Sequence, residues 1–224
     1  MARVFLDVGA HVGETLAVVI DRRWGFDRIY CFEPSPDCWE AIESLADDRV
    51  ELSHFGLWSS DTTMELHDSG EIGASLFETK ALGDGATRVE LHDATEWFAD
   101  NVSHSDQVVM KLNCEGAECE VLDRLLDSGE IHKVDELVVH FDVRKVPGME
   151  HREAITRHRL EAAGVHYDSA DEVFFGRNVT EKTANWLDYL SSGPLGRFRH
   201  RVLRRAEHAA RVRLYRLRQS YKAS

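Results

Sequence analysis

Arg3-Val-Phe-Leu-Asp7-Val-Gly9-Ala-His11-Val-Gly13-Glu14-Thr15 decides how the rest of the chain is read. An apolar run leads into Asp7, two glycines follow four residues apart, and Leu16, Val19, Ile20 and Trp24 then recur at helical spacing as far as Gly25. The pattern predicts a strand, a tight turn and a helix N-terminus. In an α/β protein this unit builds a nucleotide pocket beyond the carboxyl end of a strand. Glycine permits positive φ and close approach of a ligand to the backbone, and the helix start offers unpaired N–H groups. Glycine turns after strands are common, so the reading needs support from elsewhere in the chain.

The next segment supplies it. Arg28-Ile-Tyr-Cys-Phe32-Glu33 predicts a second strand, stopped by Pro34, with Ser35 as the cap of a helix that starts at Pro36 and turns Trp39, Ile42 and Leu45 inward. Glu33 stands 20 residues after Gly13. That is where a Rossmann-like unit places the acid that accepts hydrogen bonds from ribose hydroxyls. A solvated loop glutamate is the alternative. Short strands are expected over Val50–Trp58 and Thr63–His67, a glycine- and alanine-rich loop over 68–86 that is either a substrate lid or a plain surface loop, a strand near Arg88–Leu91 and a helix near Ala94–Asn101. Gln107–Leu112 reads as a buried strand that breaks into Asn113-Cys-Glu115-Gly116-Ala-Glu118 and a helix. A strand over Val134–Val139 ends in His140-Phe-Asp142, a helix spans Glu150–Ala163, two short strands cover Val165–Tyr167 and Glu172–Gly176, and a helix runs from Glu181 to Leu190. Strands alternating with helices imply a doubly wound, mostly parallel sheet, with the last strand antiparallel.

Composition narrows the class. The chain has 224 residues, 43% hydrophobic and 30% charged, enough for one well-buried α/β domain with an appendage. No stretch approaches the roughly 18 apolar residues of a membrane span, and the N-terminus enters a strand at once instead of a signal-type segment. The expectation is a cytoplasmic protein. Cys31, Cys38, Cys114 and Cys119 are spaced unlike a zinc site and read as ordinary thiols. The net charge of −13 is divided unevenly: residues 194–224 hold ten basic residues and the single acid Glu207, about +9, which leaves about −22 on residues 1–193. We therefore divide the chain into a domain over 1–193 and a basic segment over 194–224.

Ligands of a doubly wound sheet sit beyond the carboxyl ends of its strands. Asp7, Gly9, His11, Glu33, Asn113, Glu115, His140 and Asp142 converge there. Each has a structural alternative: His140 can bond a backbone carbonyl, Asn113 can cap the following helix, and Glu115 can favour that helix's dipole.

Three stretches, Phe5–Gly13, Phe32–Pro36 and Met110–Glu118, together resemble the FkbM-type family of S-adenosylmethionine-dependent methyltransferases, over roughly residues 3–167. The resemblance implies the class I methyltransferase sheet of seven strands. It also implies methyl transfer from S-adenosylmethionine, leaving S-adenosylhomocysteine, to a hydroxyl of a glycan or secondary metabolite. By the same resemblance Asp7, Gly9 and Gly13 shape the pocket for the methionine portion, Glu33 holds the ribose, and Asn113 and Glu115 lie beside donor and acceptor. His11, where the family commonly has asparagine, either meets the cofactor's carboxylate or faces solvent. Asn113 stands where the family has aspartate, and an amide is no general base near neutral pH. His140 is the first candidate for that task. Glu115 and Asp142 are the second, as bases or as ligands of a divalent cation, although no spacing demands a metal. The rival readings are a cofactor-binding module with weakened catalysis and a nucleic-acid 2′-O-methyltransferase. A nicotinamide dehydrogenase is disfavoured because the turn is Gly-x-x-x-Gly.

In the basic segment Phe198, Val202, Ala206, Ala210, Leu214, Leu217 and Tyr221 recur at three- and four-residue spacing, which predicts a basic amphipathic helix. It can lie on an anionic membrane, bind nucleic acid, or pack on the acidic body or a second copy in a homo-oligomer. The segment lacks the aromatic–basic interleaving of a single-strand platform, which disfavours nucleic acid.

Overall fold

The structure is a computed structural model that describes residues 1–71, 73–80 and 85–192. The expected basic segment 194–224 and part of the 68–86 loop lie outside the described residues. By its contacts the chain divides into a unit spanning Met1–Ala170 and a second that begins at Asp171.

Strands β1 (Arg3–Val8), β2 (Arg28–Phe32), β3 (Val50–Ser53), β7 (Gln107–Leu112), β8 (Glu136–Val139) and β9 (Asp168–Ser169) form one sheet in the order β3-β2-β1-β7-β8-β9. Every neighbouring pair is parallel. The order reverses at β1: the chain steps outward through β2 and β3, then returns to lay β7 against the other side of β1. With right-handed crossovers this places helices on both faces of the sheet and makes the gap between the carboxyl ends of β1 and β7 the topological switch point.

The central strands are continuous apolar runs because both of their faces are covered. Val4, Phe5, Leu6 and Val8 of β1 and Val108, Val109, Met110 and Leu112 of β7 are all buried. The two charges in these runs, Asp7 and Lys111, are partners in strand register and neutralise each other, with Lys111 Nζ 2.9 Å from Asp7 Oδ1.

Helices follow the sequence closely in places. Helix α2 (Pro36–Leu45) has proline at its start, α3 is Ala94–Asn101, α4 is Glu118–Ser128 and α5 is Glu150–Ala162. The first helix is shorter than expected. α1 covers only Leu16–Val19, and a 3-10 turn over Arg22–Trp24 follows, because the Asp21 carboxylate accepts from Arg23 N at 2.9 Å and restarts the chain there. Ser35 does not cap α2 through its hydroxyl, which instead pairs with Ser69 Oγ at 2.8 Å. Leu45, expected inward, is exposed.

The expected strand pair around 50–67 divides between two sheets. β3 joins the main sheet, whereas β4 (Gly56–Trp58), β5 (Thr62–His67) and β6 (Ala86–Asp93) form a small sheet in the order β4-β6-β5.

The end of the sheet also differs from expectation. Six described strands are present where seven were expected, and β9 runs parallel to β8, not antiparallel. Val165–Tyr167 precedes the two-residue β9, and Ala170–Val173 forms a short helix, α6, that overlaps the start of the expected strand 172–176. Gly176, at φ +145°, is in backbone that few side chains adopt, and Phe174 packs edge-on against Trp186 at 6.1 Å instead of joining a ladder. α7 (Val179–Ser191) begins at Asn178, whose side chain accepts from Glu181 N. No helix among the described residues is long and apolar enough to cross a membrane.

Candidate functional site at the switch point

The turn after β1 is fastened to the end of β2. Gly9 N and Ala10 N both donate to Phe32 O at 3.1 Å, and His11 N donates to Glu33 Oε2 at 2.7 Å. Glu33 Oε1 accepts from Ser35 N at 2.9 Å. Glu33 is 7% exposed, and burial pushes its carboxyl upward while the Ser35 and His11 amides draw it back. Each oxygen uses one lone pair on these amides and retains capacity for a further donor. The indole of Trp39 donates to Glu33 O at 2.8 Å and stacks on His54 with ring centroids 4.0 Å apart, so the acid is held from its backbone as well.

The glycines have packing reasons. Gly9 has φ +81°, and a Cβ there would fall 1.9 Å from Asn113 O, so the turn after β1 and the turn after β7 touch backbone to backbone. The close approach that glycine allows at this position is made by the protein's own chain. His11 adopts φ +50°, a left-handed conformation that histidine tolerates better than most residues.

Lys111 holds the floor of this turn. Its Nζ donates to Asp7 Oδ1 at 2.9 Å and to Gly9 O at 2.7 Å. Asp7 is fully buried. Burial raises its carboxyl and the Lys111 ammonium lowers it, with burial the larger effect. Asp7 Oδ2 is buried without a hydrogen-bond partner among the described residues, as is His11 Nε2; His11 Nδ1 lies 3.3 Å from Glu14 Oε2.

On the other side of the switch point, β7 and β8 bring Asn113, Glu115, His140 and Asp142 together. His140 Nδ1 is 3.1 Å from Asn113 Oδ1, and its Nε2 is 3.6 Å from Asp142 Oδ1. A half-turn of the Asn113 amide would turn its NH2 toward Nδ1, the arrangement that matches a proton on Nε2 facing the Asp142 carboxylate. Asp142 is fully buried, and Lys145 Nζ lies 2.7 Å from its Oδ1. Burial would raise the Asp142 carboxyl, but the Lys145 hydrogen bond, the His140 charge and a hydrogen bond with Glu115 together hold it below the usual range. Glu115 itself has φ +52°, and its carbonyl accepts from Ser75 Oγ at 2.8 Å.

Glu118 was outside the residues singled out from sequence. It is fully buried at the start of α4; Oε1 accepts from Cys114 N and Gly116 N at 3.2 and 3.0 Å, and Oε2 from Val143 N at 3.2 Å. It therefore staples the turn after β7 to the turn after β8. Burial pushes it up to about 7. Lys111 and Trp39 were missed in the same way. A lysine inside an apolar strand was the available signal for Lys111, because such a charge needs a buried partner.

The sequence-predicted residues thus form two adjoining groups, Asp7–Gly9–His11–Glu33 and Asn113–Glu115–His140–Asp142, joined where Gly9 meets Asn113. No group of three or more histidine, cysteine or acidic residues suited to a metal ion occurs among the described residues.

Fold and geometry define a doubly wound α/β protein with its polar groups gathered at the switch point. No family model and no curated protein matches the chain. Among solved structures it is similar to the crystal structure of the methyltransferase FkbM from Methylobacillus flagellatus KT, at 15% identity and a TM-score of 0.45, over 71% of this chain and 37% of that one. The chain thus spans little more than a third of that structure's length.

Proposed function

We propose that the protein is an S-adenosylmethionine-dependent O-methyltransferase acting on a hydroxyl of a glycan or secondary metabolite. The observation that carries this reading is Glu33. It is a nearly buried acid at the carboxyl end of the second strand, joined to the glycine turn by His11 N at 2.7 Å, with lone pairs left for two hydroxyl donors. Support also comes from the three stretches that resemble FkbM-type methyltransferases, and from Asp7 Oδ2 and His11 Nε2, buried polar atoms beside the turn that a polar ligand would satisfy.

The residues present fit the cofactor: Glu33 would hold its ribose, and the Gly9–Gly13 turn with His11 and Asp7 its methionine portion. When bound, S-adenosylmethionine supplies an electrophilic methyl group on a sulfonium. On the acceptor side the chain's own groups have a proton to move. Asp142, 3.6 Å from Nε2, would steady the His140 ring, and Nδ1, once turned from Asn113, would take the proton of the acceptor hydroxyl. Asn113 would hold that oxygen or the imidazole by hydrogen bonding, and Glu115 would line the same pocket.

Titration calorimetry with S-adenosylhomocysteine tests the cofactor half. Binding below millimolar concentration is expected in the native protein, with a loss of tenfold or more in Glu33→Ala; no binding at all refutes the reading. Methyl transfer assayed over hydroxylated acceptors tests the other half. His140→Ala should lower the rate by about 10²-fold or more, the usual worth of a positioned base, and full activity in that variant would remove His140 from the chemistry.

A further inference from the structure

The site has a third wall, supplied by the small sheet. Beyond β5 the chain from His67 to Phe77, Ile72 apart, touches both halves of the site. At the Glu33 side, Ser69 Oγ lies 2.8 Å from Ser35 Oγ and donates to Asp37 Oδ2 at 2.7 Å. Gly70 is pressed against Asp37, whose Cβ would lie 2.9 Å from a Cβ added at the glycine. At the other side, Ser75 Oγ donates to Glu115 O at 2.8 Å, and the ring of Phe77 would lie 3.1 Å from a Cβ placed on Gly116. Between these contacts the segment is closed on itself. His67 and Ser75 exchange both backbone hydrogen bonds, at 2.9 and 3.1 Å, and Glu71 N and Ala74 N bond to Asp68 O and Glu71 O. These bonds tie the Ser69 end of the segment to Ser75 by way of Asp68 and His67.

Glu115, like His11 and Asp68, adopts a left-handed backbone conformation. Its left-handed backbone is disfavoured for a residue with a Cβ, and its carbonyl is satisfied by Ser75, which is 3% exposed. Ser35 is two residues from Glu33, and its backbone N–H bonds that carboxylate. A continuous mechanical link therefore runs from Glu33 through Ser35, Ser69 and Ser75 to Glu115. We propose that Ser69 and Ser75 are positioning residues: the 67–77 segment is a strap fastened on both sides of the switch point, so that the state of the Glu33 side sets the placement of the Glu115–Gly116 turn on the acceptor side. The link itself stands on the contacts above; that the two sides are cofactor and acceptor sides rests on the proposed function.

Hydrogen exchange read by mass spectrometry on the full chain tests it. Cys114 and Gly116 amides bond to Glu118, and Ser75 and His67 amides bond to each other's carbonyls, so both places carry amides whose protection can be followed. Ser69→Ala removes the hydroxyl fastening at the Glu33 side and leaves the Ser75 contacts intact, yet exchange at 113–117 should quicken severalfold, along with that at 67–71. Ser75→Ala should quicken 113–117 at least as much, and Ser75→Thr, which keeps the hydroxyl, should restore it. If the effect of Ser69→Ala stops at residues 67–71 and 35–38, the coupling is refuted whatever the ligand. In a second arm S-adenosylhomocysteine should slow exchange at 113–117 in the native protein and fail to do so in Ser69→Ala while still binding. Ligand that binds and slows 113–117 equally in both also overturns the strap, whereas failure of the ligand to bind overturns the proposed function and leaves the ligand-free comparison to decide the strap.

Discussion

Glu118 is the residue at which burial and charge conflict most openly. Three backbone N–H groups from two turns converge on one carboxyl group that is fully buried, and burial still lifts it from 4.5 to about 7. The folded state therefore binds the Glu118 proton more tightly than the unfolded state. The associated stability is complete below about pH 4.5 and is lost as pH rises through 7. At about 1.4 kcal/mol for each pH unit of separation, the loss is about 3 kcal/mol. Urea unfolding of native protein and Glu118→Gln at pH 5 and pH 8 should show the native protein losing about that much relative to the variant across the interval. Parallel pH dependences would mean that Glu118 is not the buried titrating group. At Asn113 the expected change concerns chemistry. Asn113→Asp puts a carboxylate 3.1 Å from His140 Nδ1, where it favours the imidazolium. The acid limb of the pH–rate profile should move to higher pH; an unmoved limb would separate His140 from the titrating base.

Among the elements, α3 and α4 are joined by one acid. Asp93 caps α3, accepting from Thr95 N at 2.8 Å, and also receives both its oxygens' bonds from Arg124 Nε of α4 at 3.0 Å. A lost cap costs about 1 kcal/mol, and a hydrogen-bonded charge pair that is partly exposed adds about as much. Asp93→Ala should thus cost about 2 kcal/mol and Asp93→Asn, which keeps the cap, about half of that, as read from urea midpoints at constant slope. Equal costs would show that only one of the two roles matters. This double duty was not visible in the sequence, although α3 itself was, down to Ala94 and Asn101. The difference is general to this chain. β1 and β7 were legible because a strand covered on both faces is apolar along nearly its whole length, and the convergence of Asn113 with His140 followed from strand ends alone. Glu118 was not legible because one of its partners, Val143 N, belongs to a different turn, 25 residues on. β9 was misplaced because two residues of pairing carry no periodicity, while Val165-His166-Tyr167 beside it alternates as a strand does. Gly9 was read correctly as a position that needs glycine, but the crowding atom is Asn113 O.

At the scale of the whole molecule the outstanding feature is the division of charge, about −22 on residues 1–193 and about +9 on residues 194–224. A body so acidic is repelled by anionic lipid, so any affinity for such a surface has to come from the basic segment. Each basic residue near an anionic surface is worth about 1 kcal/mol, and salt screens that attraction over about 10 Å at 0.1 M. The apolar residues Phe198, Val202, Leu214, Leu217 and Tyr221 at helical spacing would add a contribution that salt does not remove. The two contributions predict a particular outcome in vesicle co-sedimentation. The full chain should pellet with phosphatidylserine-containing vesicles at low salt, retain a measurable bound fraction at 0.5 M salt, and stay in solution with pure phosphatidylcholine. The chain ending at residue 193 should stay in solution throughout. Binding that vanishes entirely at 0.5 M salt would reduce the segment to a charge patch with no inserted face. Binding of the shortened chain would assign the affinity to the acidic body, against its charge, and the segment would then have to be sought in contact with a second copy.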